Sequence, residues 1–241
     1  MARINLWSSP RNISTALMYA FDQHKDFTVV DEPLYAYYLK QNPAQQDRHP
    51  GAQAVIESQS TNGVEVMDAL LNGSIKTSHL LAKQMTHHLD QFDLNLLLPF
   101  QNILLIRPPK RIIFSYQKVI SSPSMKDIGI AEQLTLFNFF KNHNKPALIL
   151  DTHELLKNPE KVLKTLFEKL NLDFDQSMLQ WEAGPKKADG VWAKYWYANA
   201  HKSTGFQKLE NKDIQLNDDL IPLLESCNQI YNTLFEHAIK A

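Results

Sequence analysis

A polar turn near the N-terminus joins an apolar predicted strand at residues 4–7 to an amphipathic predicted helix at residues 14–24. A helix start offers free backbone N–H groups, and Arg11, Ser14 and Thr15 add a guanidinium and two hydroxyls. These are the donors that bind phosphate or sulfate, so the segment predicts an anion site. In the alternative interpretation, Ser14 only caps the helix and Arg11 is solvated. The Walker pattern GxxxxGKS/T is absent, which argues against an ordinary ATPase or GTPase.

A second arginine stands at the end of another predicted strand. The strand at residues 103–106 runs into Arg107, and Pro108 keeps Arg107 out of helical geometry, so its side chain projects from a loop. Ser115 follows eight residues later, about two turns into the next helix. Arg107 and Ser115 can bracket a second phosphate; alternatively, Arg107 pairs with a surface acid and Ser115 is a neutral helix residue. Two arginine-bearing strand-to-helix turns indicate a ligand with two separated anionic groups.

These turns need a sheet to position them. Short runs rich in Ile, Leu and Val alternate with helix-like segments, which predicts a three-layer α/β/α fold around a central parallel sheet. With 241 residues, the chain is expected to form one domain over residues 1–241. The predicted strands are residues 4–7, 27–30, 80–85, 103–106 and 147–150; the helices are 14–24, 64–71, 110–120, 131–142, 159–170 and 219–239; and the loops are 40–51, 121–129 and 181–206.

Two predicted helices have regular patterns. Asn158 can cap a helix that begins with Pro159 and keeps its apolar residues on one stripe. In the last helix, Cys227 falls on the apolar stripe, which favours core packing over a role as a nucleophile.

The composition argues against several classes of partner. Lys and Arg number 25 against 26 Asp and Glu, so a net charge of −1 gives no general attraction for nucleic acid or an anionic membrane. A single cysteine cannot form an intrachain disulfide, and no Cys/His cluster indicates a structural metal. The sequence has no apolar run of the length found in signal peptides or membrane spans, which favours a cytoplasmic protein.

These segments together resemble the sulfotransferase family. The turn SSPRNIST is similar to the family's 5′-phosphosulfate loop, and IRPPKRIIFSY is similar to its 3′-phosphate motif, which carries over Arg107 and Ser115. The family has a Lys and a His before the second motif, and Lys83, His87 and His88 occupy that place. The residues carried over from the first loop are Ser9, Pro10, Arg11, Asn12, Ile13, Ser14 and Thr15.

Other segments match more loosely. Lys186 and Lys187 precede a segment similar to the family's loop that closes over the nucleotide. Where many members have a glycine after the proline-basic pair, this chain has Asn12 and Ile13, and a Tyr before the late acidic pair is replaced by Thr152. A side chain in the first loop is expected to restrict close backbone approach and to weaken donor binding.

The resemblance implies a P-loop-like nucleotide-binding fold and sulfuryl transfer from 3′-phosphoadenosine 5′-phosphosulfate to a hydroxyl or amine of a small molecule, without a metal. Arg11 would take the leaving 5′-phosphate side, and Arg107 with Ser115 would take the 3′-phosphate. Lys186 or Lys187 would close over the 3′-phosphate. The acceptor and the oligomeric state are not readable from the sequence.

Three residues are candidates for the base that takes the acceptor's proton. Histidine titrates near neutrality, and His87 is preferred over His88. Which of the two rings faces the cleft depends on the strand register, since strand alternation is expected to send neighbouring side chains to opposite faces. Glu32 competes, since Pro33 holds it in a loop; its alternative roles are acceptor recognition or a structural salt bridge. Lys83 either assists the bridging oxygen or is solvated.

Two other functions stay open. A catalytically idle nucleotide-binding protein is one, and the departures at Ile13 and Thr152 support it. A phosphotransferase or hydrolase is the other, but it would need an acidic metal site and a lysine in the first loop.

Overall fold

The computed structural model describes residues 1–118, 122–208 and 214–241. It confirms the predicted fold class, since the strands form a single parallel six-stranded sheet with helices on both sides. The strands are β1 (Arg3–Ser8), β2 (Phe27–Asp31), β3 (His79–Met85), β4 (Gln101–Ile106), β5 (Leu148–Asp151) and β6 (Ala238–Ile239). Their order in the sheet is β2-β3-β1-β4-β5-β6.

Helices connect these strands. None of the helices formed by the described residues has the length and apolar content that a bilayer-spanning segment requires. The α-helices are α1 (Ser14–Asp22), α2 (Tyr35–Gln41), α3 (Ala52–Ser58), α4 (Gly63–Asn72), α5 (Pro109–Tyr116), α6 (Met125–Ile128), α7 (Ile130–Asn142), α8 (Thr152–Lys157), α9 (Pro159–Leu170), α10 (Ala193–Trp196) and α11 (Ile221–Phe235). Short 3₁₀ helices cover Pro43–Arg48, Thr86–Leu89, Leu94–Leu97, Gln176–Leu179 and Asp218–Leu220.

The chain divides into two compact units, and the expectation of one domain stays a prediction. The first unit comprises Met1–Leu6, Ser14–Asn102 and Asp175–Phe206. In it, β2 and β3 run parallel in a register that sets Asp31 opposite Lys83. Because the carboxyl ends of parallel strands lie at one edge of a sheet, this register places an acid and a base side by side at that edge.

The second unit comprises Trp7–Ile13, Ile103–Phe174 and Gln207–Ala241. Its strands β4 and β5 pair in parallel with Ile106 opposite Asp151, so that the residues after them start from neighbouring positions. Helix α9 has the predicted bounds, and Asn158 caps it by accepting a 3.0 Å hydrogen bond from the Lys161 N–H. Its apolar stripe is buried as predicted and consists of Val162, Leu163, Leu166, Phe167 and Leu170.

The C-terminal segment differs from its prediction. A helix over residues 219–239 was expected, but α11 ends at Phe235 and Ala238–Ile239 forms β6, which pairs in parallel with β5. Backbone pairing with a buried strand outweighs the helical period that Ala238 continues. Cys227 is fully buried in α11, which confirms its predicted place in the core, and burial raises the pKa of its thiol to about 11.

Several short helices lie in segments predicted as loops. The loop at 40–51 contains a 3₁₀ helix, and that at 181–206 contains α10. In the loop at 121–129, α6 begins with a capping box in which Ser124 and Asp127 exchange hydrogen bonds. Residues 119–120 of a predicted helix and residue 121 of a predicted loop lie outside the described residues.

Candidate functional site

The two predicted anion-binding arginines lie together in the second unit. Residues 9–13 form a loop that follows β1 and precedes α1. Arg11 is exposed and takes a left-handed backbone conformation with φ 58°. The Arg107 guanidinium donates a hydrogen bond through Nη1 to the Arg11 carbonyl, and the Arg11 guanidinium lies 5.4 Å from the centre of the Tyr116 ring. The structure therefore brings together two turns that are far apart in the sequence.

Hydrogen-bonding groups in this region are unsatisfied. Within the described part of the chain, Nε of Arg107 and Oγ of Ser9 are buried without a hydrogen-bond partner. Burial, and then the charge of Arg111, lower the pKa of Arg107. Buried polar groups in proteins are almost always paired, and a bound anion would pair these groups and offset the cost of burying the charge.

Asn12 and Thr152, which both depart from the family pattern, contact each other. Thr152 Oγ1 lies 2.6 Å from Asn12 Oδ1 and 2.9 Å from the carbonyl oxygen of Ile106. The Asn12 amide donates a 2.9 Å hydrogen bond to the carbonyl of Leu105, and its Oδ1 accepts one of 2.9 Å from the Ile13 N–H. Residues that depart from the expected motif thus fasten the loop to the end of β4.

The other residues predicted to bind the sulfuryl donor are divided between the two units. Pro10 and Ile13 are partly buried in the loop, and Ser115 is partly buried in α5. Ser14 is the first residue of α1 and is buried, while Thr15 next to it is partly buried.

A buried ion cluster occupies the carboxyl ends of β2 and β3 in the first unit. It consists of Asp31, Glu32, Lys83 and Tyr197. The Lys83 ammonium donates to Asp31 at 3.0 Å and also to Glu32, and it lies 2.6 Å from the Tyr197 hydroxyl. That hydroxyl lies 2.8 Å from Asp31 Oδ2 and accepts a hydrogen bond from the Trp192 indole at 3.2 Å. Lys83 is 1% exposed, so the predicted solvated alternative does not describe it.

The electrostatics of the cluster follow from burial and opposite charge. Burial alone would lower the pKa of Lys83, but Asp31 and Glu32 outweigh it and raise that pKa well above the ordinary value. Burial raises the pKa of Glu32, although the neighbouring Lys83 charge opposes the rise. Burial also raises the pKa of Tyr197 well above the ordinary value, so its hydroxyl stays protonated. Lys83 is thus held charged between two carboxyl groups.

Among the described residues, one carboxylate oxygen of Glu32 accepts hydrogen bonds and the other does not. Its Oε1 accepts from Lys83 and lies 3.4 Å from the Tyr197 hydroxyl. Its Oε2 has no hydrogen-bond partner among the residues that the structure describes, and it lies 3.9 Å from Nε2 of His88. The Glu32 side chain is 10% exposed and its backbone has φ 38°, which is uncommon for a residue with a side chain.

The two histidines follow β3 in a 3₁₀ helix, Thr86–Leu89. The prediction that strand alternation separates their rings is therefore wrong, since β3 ends at Met85 and the pleat ends with it. His88 is 1% exposed and stacks on Tyr35 and Tyr38, with ring centres 4.7 and 5.1 Å apart. Burial, and then neighbouring His87, lower the pKa of His88 well below its ordinary value, so the ring is neutral near pH 7. His87 is partly exposed and meets Tyr38 edge to face at 5.1 Å.

Lys186 and Lys187 lie in the irregular segment of the first unit. The backbone N–H of Lys186 donates a 2.8 Å hydrogen bond to Asp189, and its ammonium lies 5.7 Å from the centre of the Tyr19 ring. Lys187 is exposed. Asp189 also accepts a 2.7 Å hydrogen bond from Tyr19 and lies 2.9 Å from Nε2 of His201. Through these hydrogen bonds, Asp189 links the segment that contains Lys186 and Lys187 to α1.

Comparison with known families decides what kind of chain this is. The family described as a sulfotransferase domain matches residues 2–238, which is nearly the whole sequence. The chain belongs to the sulfotransferase-domain family. The resemblance seen in the sequence is thereby confirmed, and with it the expectation of a sulfotransferase at the level of the family.

Two curated relatives are named as aminotransferase-like proteins rather than as sulfotransferases. The sulfotransferase-domain chain is 35% identical to branched-chain-amino-acid aminotransferase-like protein 2 of Arabidopsis thaliana over 238 residues, which are 98% of this chain and 42% of the relative. It is also 35% identical to aminotransferase-like protein 1 of the same plant, covering 97% of this chain and 42% of the relative. The chain thus spans less than half the length of the curated relatives it matches.

Solved sulfotransferase structures share the fold of this sulfotransferase-domain chain. The sulfotransferase domain from the curacin biosynthetic pathway superposes with a TM-score of 0.58 at 16% identity, covering 97% of both chains. A sulfotransferase from Alicyclobacillus acidocaldarius gives 0.56 at 8% identity, covering 98% of this chain and 96% of its own. Mouse sulfotransferase SULT7A1, complexed with PAP, gives 0.57 at 14% identity, covering 98% of this chain and 89% of its own.

The contacts of two residues in the sulfotransferase-domain chain's candidate site were not predicted from the sequence. Tyr197 lies in a segment without periodicity, and no local pattern indicates that it reaches Asp31, 166 positions away. Gly129 has φ 72°, and a Cβ there would lie 3.2 Å from the Cβ of Ser9, so a glycine in this loop is a signal of close packing against residues 9–13.

Proposed function

We propose that the chain transfers a sulfuryl group from 3′-phosphoadenosine 5′-phosphosulfate to a hydroxyl or amine of a small molecule. One observation carries the proposal: Arg107 contacts Arg11, and its buried Nε lacks a partner in the described chain. Two arginine-bearing turns joined by this contact, one of them with a free donor, suit a ligand with more than one anionic group. The mouse sulfotransferase in complex with PAP supports the choice of nucleotide, since PAP is what this donor leaves after transfer.

The second unit would bind the donor's anionic groups. Arg107 with Ser115 would hold the 3′-phosphate, and Arg11 with the rest of residues 9–13 would hold the 5′ side. When bound, the donor supplies a sulfuryl group, and negative charge grows on the 5′-phosphate oxygen that it leaves. Arg11 would stabilise that charge through its exposed guanidinium.

In the first unit, Glu32 is the base that the geometry supports best, ahead of His87. Its Oε1 is anchored by Lys83 while Oε2 is free of hydrogen bonds among the described residues, so Oε2 can accept a proton. A pKa raised by burial makes a carboxylate a stronger base. Glu32 Oε2 would take the proton from the acceptor's O–H or N–H. His88, buried and stacked on two tyrosines, would position Glu32.

The proposal is tested by incubating the protein with ³⁵S-labelled donor and a pooled set of hydroxyl and amine metabolites. The expected result is a labelled product that the wild-type protein forms over many turnovers and that Glu32→Gln forms roughly 10²–10⁴ times more slowly. Binding of the donor with no labelled product in any pool would contradict sulfuryl transfer to a small molecule and favour an idle nucleotide-binding protein. Release of labelled sulfate alone would indicate hydrolysis.

A further inference from the structure

Asn12 and Thr152 form a side-chain bridge in the second unit. We propose that this bridge positions residues 9–13 for the 5′ anionic group of the donor nucleotide, and that both members are positioning residues. The inference rests on the proposed function and adds to it the two residues that set selectivity for a 5′ anionic group.

Both polar atoms of the Asn12 side-chain amide form hydrogen bonds. Its Nδ2 donates to the Leu105 carbonyl at 2.9 Å, and its Oδ1 accepts from the Ile13 N–H at 2.9 Å. The Thr152 hydroxyl lies 2.6 Å from the same Oδ1, and Thr152 as a residue is 2% exposed. A side chain with every polar atom engaged holds one rotamer, so Asn12 fixes the backbone of the loop at Ile13.

The bridge is anchored on rigid elements. Leu105 and Ile106 are the last residues of β4, and Thr152 follows β5 directly. Its Oγ1 lies 2.9 Å from the Ile106 carbonyl, so one hydroxyl is within reach of both the loop and the strand. Sites supported from strand ends are held more precisely than sites on free loops. The loop therefore inherits the rigidity of two paired strands.

The loop needs such support because its backbone is unusual. Arg11 has φ 58° and carries a large side chain, whereas glycine is the residue that adopts this conformation without cost. Its carbonyl accepts the hydrogen bond from Arg107. The Asn12 bridge holds the next residue, so that the Arg11 carbonyl and side chain keep their directions. Asn12 thus supplies a side-chain tether beside the left-handed residue, in the segment where many family members have glycine.

The test separates positioning from general stability by using two nucleotides. Calorimetric Kd values are measured for adenosine 3′,5′-bisphosphate and adenosine 3′-monophosphate, which differ only in the 5′-phosphate. For Thr152→Val, we expect roughly tenfold weaker binding of the bisphosphate and less than about twofold for the monophosphate, since one hydrogen bond to the tether is lost. Thr152→Ser should restore the bisphosphate affinity because it keeps the hydroxyl.

Two further variants keep the test interpretable. Asn12→Ala leaves the Leu105 carbonyl paired, because Gln133 donates to it at 2.8 Å, so the variant should fold and show the same selective loss. Thr135→Val on α7 is the matched control, since Thr135 is exposed and its hydroxyl donates to the Ala131 carbonyl of its own helix. It should change neither Kd.

Equal weakening of both nucleotides by Thr152→Val and Asn12→Ala would overturn the inference and leave the proposed function standing. Unchanged affinity for the bisphosphate in both variants would overturn it as well. A wild-type protein that binds neither nucleotide would overturn the proposed function, and the inference with it.

Discussion

Lys83 Nζ and Asp31 Oδ1 lie 3.0 Å apart, and the two side chains are only 2% and 1% exposed to solvent. The parallel register of β2 and β3 sets these residues opposite each other. Glu32 places a second carboxyl group on the same ammonium. A buried charge is tolerated only when it is paired, so each member of this cluster depends on the others.

Removal of Lys83 is therefore expected to destabilise the protein strongly. Lys83→Met leaves two buried carboxyl groups without their cation, and the free energy of unfolding should fall by about 3–5 kcal/mol. The measurement is urea denaturation followed by circular dichroism. The matched control is Lys164→Met, which breaks a 2.7 Å pair with Glu160 in which both side chains are more than 40% exposed. That change should cost less than about 1 kcal/mol, and equal losses would contradict the prediction.

The base assignment predicts a kinetic difference between Glu32 and His87. Glu32→Gln keeps the shape and removes the proton acceptor, so kcat should fall by roughly 10²–10⁴ while the Kd for the donor product nucleotide stays unchanged. His87→Ala should retain most of the wild-type kcat. Steady-state rates with an accepted small molecule decide between them, and the reverse pattern would assign the proton transfer to His87.

The pH dependence of kcat/KM should have an acid limb above the ordinary carboxyl range. Glu32 must be deprotonated to accept a proton, and its pKa is raised by burial above 4.5, so activity is lost as pH falls through that raised pKa. Tyr197→Phe removes a hydrogen bond that lowers this pKa and should move the limb to higher pH. An acid limb that stays in place in Tyr197→Phe would contradict the coupling between these residues.

The buried neutral His88 should make stability fall with acidification. Its folded pKa lies well below the ordinary 6.5, so below that pH the unfolded chain binds a proton that the folded chain does not. Stability is then lost as pH falls from about 6.5 toward the folded pKa, with a contribution of up to about 1.4 kcal/mol per pH unit. Urea denaturation at several pH values should show a shallower decline for His88→Phe. The exposed His143→Phe serves as control, and identical slopes for wild type and His88→Phe would refute the prediction.

Local patterns predicted what depends on local chemistry. The bounds of α9 follow from Asn158, Pro159 and the apolar stripe, all within one segment. The strands before Arg107 and Glu32 were likewise visible as apolar runs. β6 was not predicted because it depends on a distant segment: Ala238–Ile239 forms a strand through its pairing with β5.

The contacts within the candidate site could not be predicted either, because they also join residues that are far apart in the sequence. Asn12 and Thr152 are 140 positions apart, and each by itself is a departure from a motif. The left-handed backbone of Arg11 and the 3₁₀ helix that carries His87 and His88 are also set by neighbours from other segments. Sequence patterns named these residues, but only the folded chain shows which of them touch.

The most direct measurement of the central claim is calorimetric titration of adenosine 3′,5′-bisphosphate into wild type, Arg107→Ala and Arg48→Ala. Arg48 is an exposed arginine and serves as the charge-matched control. The arginine pair predicts saturable binding by wild type, roughly 10- to 100-fold weaker binding by Arg107→Ala, and no change for Arg48→Ala. Wild-type affinity in Arg107→Ala would contradict the claim that the Arg11 and Arg107 turns hold the nucleotide.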